Sequence, residues 1–279
     1  MKALLLNKVG SPYDLLLQEV PVPVPGPGEV RIRVACSSVN PVDFKFARGG
    51  STLGLPHVLG IDAAGVIDAV GPSVSSWKSG DRVITLNNLF RWGGFAEYVV
   101  VSQDIVSAIP EQLAFDAAAT IPCAGITAWQ AVYRKAHLEA GQSVLVNAGG
   151  GGVGGFVIQL ASALGATVYA TASTDPERLL KLGADAVINY KTENVVDRVM
   201  ALSAGRGVDT VIDMVSEQAS AALLPALRHN GHLVSVSGRI DSNPVPAWSK
   251  AISLHEVALA LPTSMGMRRT FVKSRVVAS

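Results

Sequence analysis

Residues 144–161, VLVNAGGGGVGGFVIQLA, set six glycines inside an apolar run with no charged side chain. Three of them, Gly149, Gly151 and Gly154, satisfy G-x-G-x-x-G. Glycine at those places allows a sharp turn, close approach of backbone to a pyrophosphate, and tight contact between helix and strand. Gly152 and Val153 complete the bend and open the following helix, whose unpaired N–H groups and positive dipole end attract phosphate. The chemistry these residues point to is binding of a dinucleotide.

The next strand end discriminates between cofactors. A site for NAD usually places Asp or Glu about 20 residues after the first glycine, on the ribose 2′-hydroxyl. This chain has Thr171, Ala172, Ser173 and Thr174 there, with no acid. A small hydroxyl such as Ser173 leaves room for a 2′-phosphate and can donate to it, and Arg178 is near enough to supply charge. Tyr190, in INY, is expected to stack nearby. The expectation is NADPH. Asp175 is the residue that would suit NAD instead, and Arg178 could serve as an ordinary solvated helix charge.

The elements that must position these residues follow from the same stretch. From Gln142 to Thr174 no residue is charged, which is long enough for a membrane span. Five of the six positions 149–154 are glycine, however, each costing a helix roughly 1 kcal/mol, and Asn147 and Gln159 would lie at membrane depth. The run divides instead into a strand (SVLVNA), a glycine turn, a helix (FVIQLASALG) and a second strand (ATVYATAS), a βαβ unit of parallel type. Further strands DAVINY, VDTVIDMV and GHLVSVSG alternate with helices, so that five buried strands make a doubly wound sheet. The five histidines are read as non-ligands, His229 and His232 bracketing a turn glycine. Before about Phe115 the texture differs: KALLLN, LLLQEV, EVRIRVACSSV, AAGVIDAVG, DRVITL and GGFAEYVVV are short strands punctuated by Gly and Pro, a compact β domain. Prolines 21, 23, 25 and 27 make a stiff connector. The fold class is α/β.

The chain as a whole narrows the partners. Its 279 residues are ample for two domains with cores. A net charge of +1 gives no electrostatic reason to expect nucleic acid or an anionic membrane. Cys36 and Cys123, the two cysteines, form no CxxC pair and suggest no disulfide framework. The start MKALLLNKVG is too short for a signal-peptide core, so the expected location is the cytoplasm.

Taken in order, PGPGEVRIRV, SVNPVDFK, LGIDAAGVIDAVG, SGDRV, GGFAEYVVV, IPCAGITAWQAV, NAGGGGVGGFVIQLA and GADAVINY resemble the medium-chain dehydrogenases/reductases, in their zinc-independent, quinone oxidoreductase-like branch. The resemblance covers about residues 1–260. It implies a GroES-like β domain at 1–118, a Rossmann domain at 119–260 and a divergent tail at 261–279. It further implies NADPH in the cleft between domains, a homodimer, and a small-molecule electrophilic substrate. Zinc-dependent members use Cys, His and Cys as ligands; the matching positions here are Asn40, Ile61 and Cys123, so no metal is expected. Cys123 is then a small buried residue or, alternatively, a reactive thiol. Without a Lewis acid, the implied reaction is hydride delivery to a quinone or α,β-unsaturated carbonyl. Asn40 would donate its amide to the developing oxyanion, Lys45 would strengthen that contact or anchor the cofactor, and Asp43 would act there or fix the loop. Thr127 is expected on the nicotinamide side, with Val236 and Ser237 at the strand end beneath it. The last residues depart from the family pattern, where a return segment ordinarily completes the first domain. Weakened stability and weak activity are the expectation from that departure, with alcohol dehydrogenase or enoyl reductase activity, or cofactor binding alone, as alternatives.

Overall fold

The computed structural model describes residues 1–49, 54–240 and 245–259. They form two compact units, residues 1–123 and 124–259.

The first unit is built from β1 (Lys2–Leu6), β2 (Leu16–Glu19), β3 (Glu29–Cys36), α1 (Pro41–Ala47), β4 (His57–Val58), β5 (Asp62–Val70), β6 (Arg82–Leu86), β7 (Tyr98–Ser102), β8 (Val106–Ala108) and α2 (Phe115–Ala119). Two antiparallel sheets result, ordered β2-β1-β4 and β7-β3-β5-β6-β8. The alternation in EVRIRVAC explains β3: Val30 and Ile32 are fully buried against Ala63, Ile67, Val83 and Val99, while Arg31 and Arg33 take the other face. β4 and β8, of two and three residues, are too short to read from the sequence.

The division between units falls inside α3 (Ile121–Trp129), which runs on into a π-helical turn at Gln130–Lys135. The second unit continues with β9 (Ser143–Asn147), α4 (Gly152–Ala163), β10 (Thr167–Ala172), α5 (Pro176–Lys181), β11 (Ala186–Asn189), α6 (Val195–Leu202), β12 (Val208–Asp213), α7 (Glu217–Leu223), β13 (Leu227–Ser235) and β14 (Ser253–Glu256). All six strands are parallel, in the order β11-β10-β9-β12-β13-β14. Helix-covered faces bury Val144, Val146, Val168, Ala170 and Ile212 completely, hence the uninterrupted apolar runs. The chain reverses direction across the sheet between β9 and β12, and ligands of such sheets bind beyond the strand ends at that reversal.

The doubly wound sheet expected from the sequence is present with one strand more. β14 reads SLHE, too polar and exposed to announce itself. A second feature concerns His229 and His232. Gly231 between them lies within β13, but the register against β12 jumps from Leu227 to His232 and Asn230 takes φ 57°, so the strand loops outward at this glycine. Among the described residues no helix is long and apolar enough to cross a membrane. The tail 261–279 lies outside the described residues.

Candidate functional site

The glycine turn follows β9 and is pinned to the end of β10: Ala148 N–H donates to Thr171 Oγ1 (2.9 Å) and Gly149 N–H to Thr171 O (2.9 Å). Its left-handed residue is Ala148, at φ 65°, so the sharp bend expected of a glycine falls on an alanine. The glycines answer to space instead. A Cβ on Gly149 would lie 2.9 Å from Ala170 Cβ and 3.0 Å from Leu179 Cδ2, and one on Gly154 would sit on Ala148 O and 2.8 Å from Gly149 Cα. Gly150 and Gly151 meet nothing closer than 3.9 and 3.4 Å, so the outer side of the turn is open. Gly151 caps α4, and the first intrahelical bond runs from Gly155 N–H to Gly151 O (2.9 Å). The N–H groups of Gly152, Val153 and Gly154 therefore have no intrahelical acceptor, the arrangement that suits a phosphate.

Two side-chain interactions form past the ends of β10 and β11. Tyr190 Oη donates to Ser173 Oγ (3.2 Å), and Arg178 Nη2 donates to Gly150 O (2.9 Å). Asp175 accepts Arg178 N–H (3.3 Å) as cap of α5 and lies 3.4 Å from Arg178 Nε. Its carboxylate is thus engaged with Arg178 and the helix start, while Arg178, about half exposed, also bonds to the glycine turn. Tyr190 is half exposed, leaving its ring open to stacking.

A buried polar chain that the sequence did not disclose joins the strand ends at the reversal. Thr171 Oγ1 donates to Asn147 Oδ1 (2.7 Å), Asn147 Nδ2 to Asp213 Oδ1 (2.6 Å), and Ser220 Oγ to Asp213 Oδ2 (2.7 Å). The only sequence sign was three polar residues at the ends of otherwise apolar strands. Val236 N–H donates to Asp213 O (2.9 Å), and Ser237 follows it in an exposed position. Thr127 is buried within α3.

The first unit carries a second cluster, centred on two buried carboxylates. Asp43 accepts N–H bonds from Asn40 (2.8 Å), Gly60 (3.1 Å) and Ile61 (3.2 Å). It thereby fixes the loop, while Lys45, two residues on, is exposed. Asp62, fully buried at the start of β5, accepts Ser38 Oγ–H and Asn40 Nδ2–H (2.8 Å) on one oxygen and Cys123 N–H (2.9 Å) on the other. Burial pushes its carboxyl up to about 6, against the pull of these donors, and raises Asp43 as well. Asn40 also donates to Ser38 Oγ (3.0 Å), so both its amide hydrogens are in use. Direct donation from Asn40 to a substrate oxygen requires one of those bonds to break. Asp62 escaped the sequence reading although it is the lone acid in the run GIDAAGVI, beside the Ile61 that drew attention.

The three positions at which zinc-dependent relatives hold metal are poor donors here. Asn40 is committed to Asp62, Ile61 is buried and aliphatic, and burial together with the charges of Asp62 and Asp43 pushes the Cys123 thiol up to about 12. Such a thiol gives little thiolate for metal or for nucleophilic chemistry. Among the described residues no group of three or more His, Cys, Asp or Glu is disposed to hold a metal ion.

Comparison with known proteins follows this geometry. Residues 26–111 match the alcohol dehydrogenase GroES-like domain and residues 152–274 the zinc-binding dehydrogenase family. The chain is 36% identical over 266 residues to a quinone oxidoreductase of Sus scrofa, covering 93% of this chain and 80% of that protein. Its fold superposes on an NAD-dependent alcohol dehydrogenase with TM-score 0.88 at 31% identity, over 96% of this chain and 87% of the other. It superposes on the CurK enoyl reductase with TM-score 0.81 at 30% identity, over 92% and 80%. A GroES-like β unit followed by a six-stranded Rossmann-type sheet, with these likenesses along nearly the whole chain, identifies an oxidoreductase that belongs to the pyridine-nucleotide-binding medium-chain dehydrogenase/reductase family, on its quinone oxidoreductase-like side.

Proposed function

We propose that this chain is an NADPH-dependent reductase of quinones or α,β-unsaturated carbonyls that works without a metal. The observation that carries the reading is the Tyr190–Ser173 hydrogen bond past β10 together with Arg178 bonded to Gly150 of the glycine turn, the nearby Asp175 being engaged with Arg178. A hydroxyl, a guanidinium and a phenol there recognise a 2′-phosphate, and a free carboxylate would repel it. The open N–H groups of Gly152, Val153 and Gly154 would hold the diphosphate. Thr127, Val236 and Ser237 would border the nicotinamide, and Lys45 remains available as a cation for substrate or cofactor. When bound, NADPH supplies the hydride. The protein's own contribution is orientation, exclusion of water and a polar environment for the oxygen that gains charge.

Metal independence rests on the donor set, an amide already committed, an aliphatic residue and a thiol held protonated. Acceptors that are electrophilic before binding suit such a site better than alcohols, whose oxidation gains most from a Lewis acid. Titration of purified protein with NADPH and NADH, followed by turnover with quinones, enals and alcohols and by metal analysis, tests the reading. Preference for NADPH with reduction of quinones or enals is expected. Tighter NADH binding would overturn the cofactor assignment, stoichiometric zinc the metal assignment, and NADPH binding without turnover the catalytic one.

A further inference from the structure

We propose that Asp62 is the proton store of the reductive half of this chemistry and that Ser38 is the residue that passes the proton outward. The inference rests on the reductase reading for its use, though not for its geometry. The Asp62 carboxylate is fully buried and accepts from Ser38 Oγ, Asn40 Nδ2 and the Cys123 N–H. Of these, Ser38 alone combines an exchangeable hydroxyl with partial exposure, whereas Asn40 is buried and Cys123 contributes a backbone N–H. Asn40 Nδ2 donates to both Ser38 Oγ (3.0 Å) and Asp62 Oδ2 (2.8 Å), which fixes the two oxygens side by side.

The proton balance closes. With Asp62 ionised, Ser38 Oγ–H donates to Oδ2. With Asp62 protonated, Oδ2–H donates to Ser38 Oγ, which still accepts from Asn40 on its second lone pair and turns its own hydrogen outward. A bound acceptor that has taken up hydride from the reduced pyridine nucleotide bears an anionic oxygen. The Ser38 Oγ–H bond breaks as the acceptor O–H bond forms, and the Asp62 Oδ2–H bond breaks as Ser38 regains its hydrogen. Asp62 is left as carboxylate and is reprotonated from solvent through Ser38 once product leaves. The charged and titratable groups around it favour the loaded form: Asp43 on α1 adds a like charge, and Cys123 on α3 stays neutral. Burial then keeps the carboxyl partly protonated near neutrality.

Infrared spectroscopy of the ligand-free full chain tests the store directly. A protonated-carboxyl carbonyl band should titrate away with a midpoint near pH 6, vanish in Asp62→Asn, and survive in Ser38→Ala with a higher midpoint, because the ionised form loses a donor. A spectrum without such a band, or a band unaffected by Asp62→Asn, overturns the proposal. With NADPH and the best acceptor, Ser38→Ala should lower kcat at least tenfold and flatten its pH profile while leaving NADPH affinity within twofold. Unchanged kcat in Ser38→Ala overturns the relay. Failure of every acceptor to turn over, with the band still titrating, would strike the reductase reading and leave the stored proton standing.

Discussion

Tyr190 Oη lies 3.2 Å from Ser173 Oγ and donates to it, so the residues just past two neighbouring strands, β11 and β10, share one hydrogen bond. Because the phenol hydrogen goes to the serine, the serine's own hydrogen is left to an incoming acceptor. The Arg178 guanidinium is held separately, to Gly150 O of the glycine turn.

Ser173→Asp should therefore raise the Kd for NADPH by about 30-fold, roughly 2 kcal/mol, by setting a carboxylate against the 2′-phosphate. The Kd for NADH should change by less than threefold. Fluorescence titration with both nucleotides checks this, and equal effects on the two would remove Ser173 from the phosphate site.

Glycines of the turn should differ sharply in tolerance. Gly154→Ala drives a methyl into backbone of the same turn and should cost about 1–3 kcal/mol of stability together with nucleotide binding. Gly150→Ala meets only the end of Arg178, at 3.9 Å, and should fold normally. Thermal melts of the two variants decide, and equal melting temperatures would contradict the packing described.

Stability should fall as the medium turns from acid to neutral on account of Asp62. Its folded-state carboxyl is raised from the ordinary 3.8 to about 6, so the folded chain binds the proton more tightly than the unfolded chain does. The stabilisation is complete below the unfolded value and is lost as pH rises through about 6, a change of about 3 kcal/mol. Asp62→Asn should flatten that part of the profile in denaturant melts at a series of pH values. A wild-type profile that rises over the same interval, parallel to the variant's, would count against it.

The histidine pair of β13 and β14 should respond in the opposite sense. His232 Nδ1 and His255 Nε2 lie 3.0 Å apart with stacked rings, and burial comes first in lowering both below the usual imidazole range. His137 and Arg228 add to the depression at His232, as His232, Lys135 and His137 do at His255, while Asp209 opposes it at His232. A lowered folded value means stabilisation present above the unfolded pKa and lost as pH falls through the folded one. NMR titration should find both rings ionising below 6.5; normal values for either would refute the pairing.

What could be read from the chain alone follows physical range. The glycine turn and the strands flanking it declare themselves because their constraints are local: apolar on both faces, then no side chains, then helical spacing. β14 does not, since an edge strand reading SLHE has only one neighbour and little to bury. Ala148 taking the left-handed bend is hidden by the glycines around it. Asp62 is hidden for a different reason. Its meaning lies in Ser38, Asn40 and Cys123, and an acid in an apolar run says only that partners exist, not where. Asn40 stood out by its family position, yet its engagement with Asp62 is visible only in three dimensions.

The bonds of Asp62 reach 22, 24 and 61 residues along the chain. Closing loops of that length is entropically slow, so the carboxyl is sheltered only when the first unit is nearly finished. Until then it is an ordinary hydrated aspartate of low affinity for hydrogen ions. Burial of Asp62 should accordingly draw hydrogen ions from a mildly acid medium, between its unfolded and folded values, which an indicator dye in a weakly buffered refolding mixture would register as a late alkaline drift reduced in Asp62→Asn.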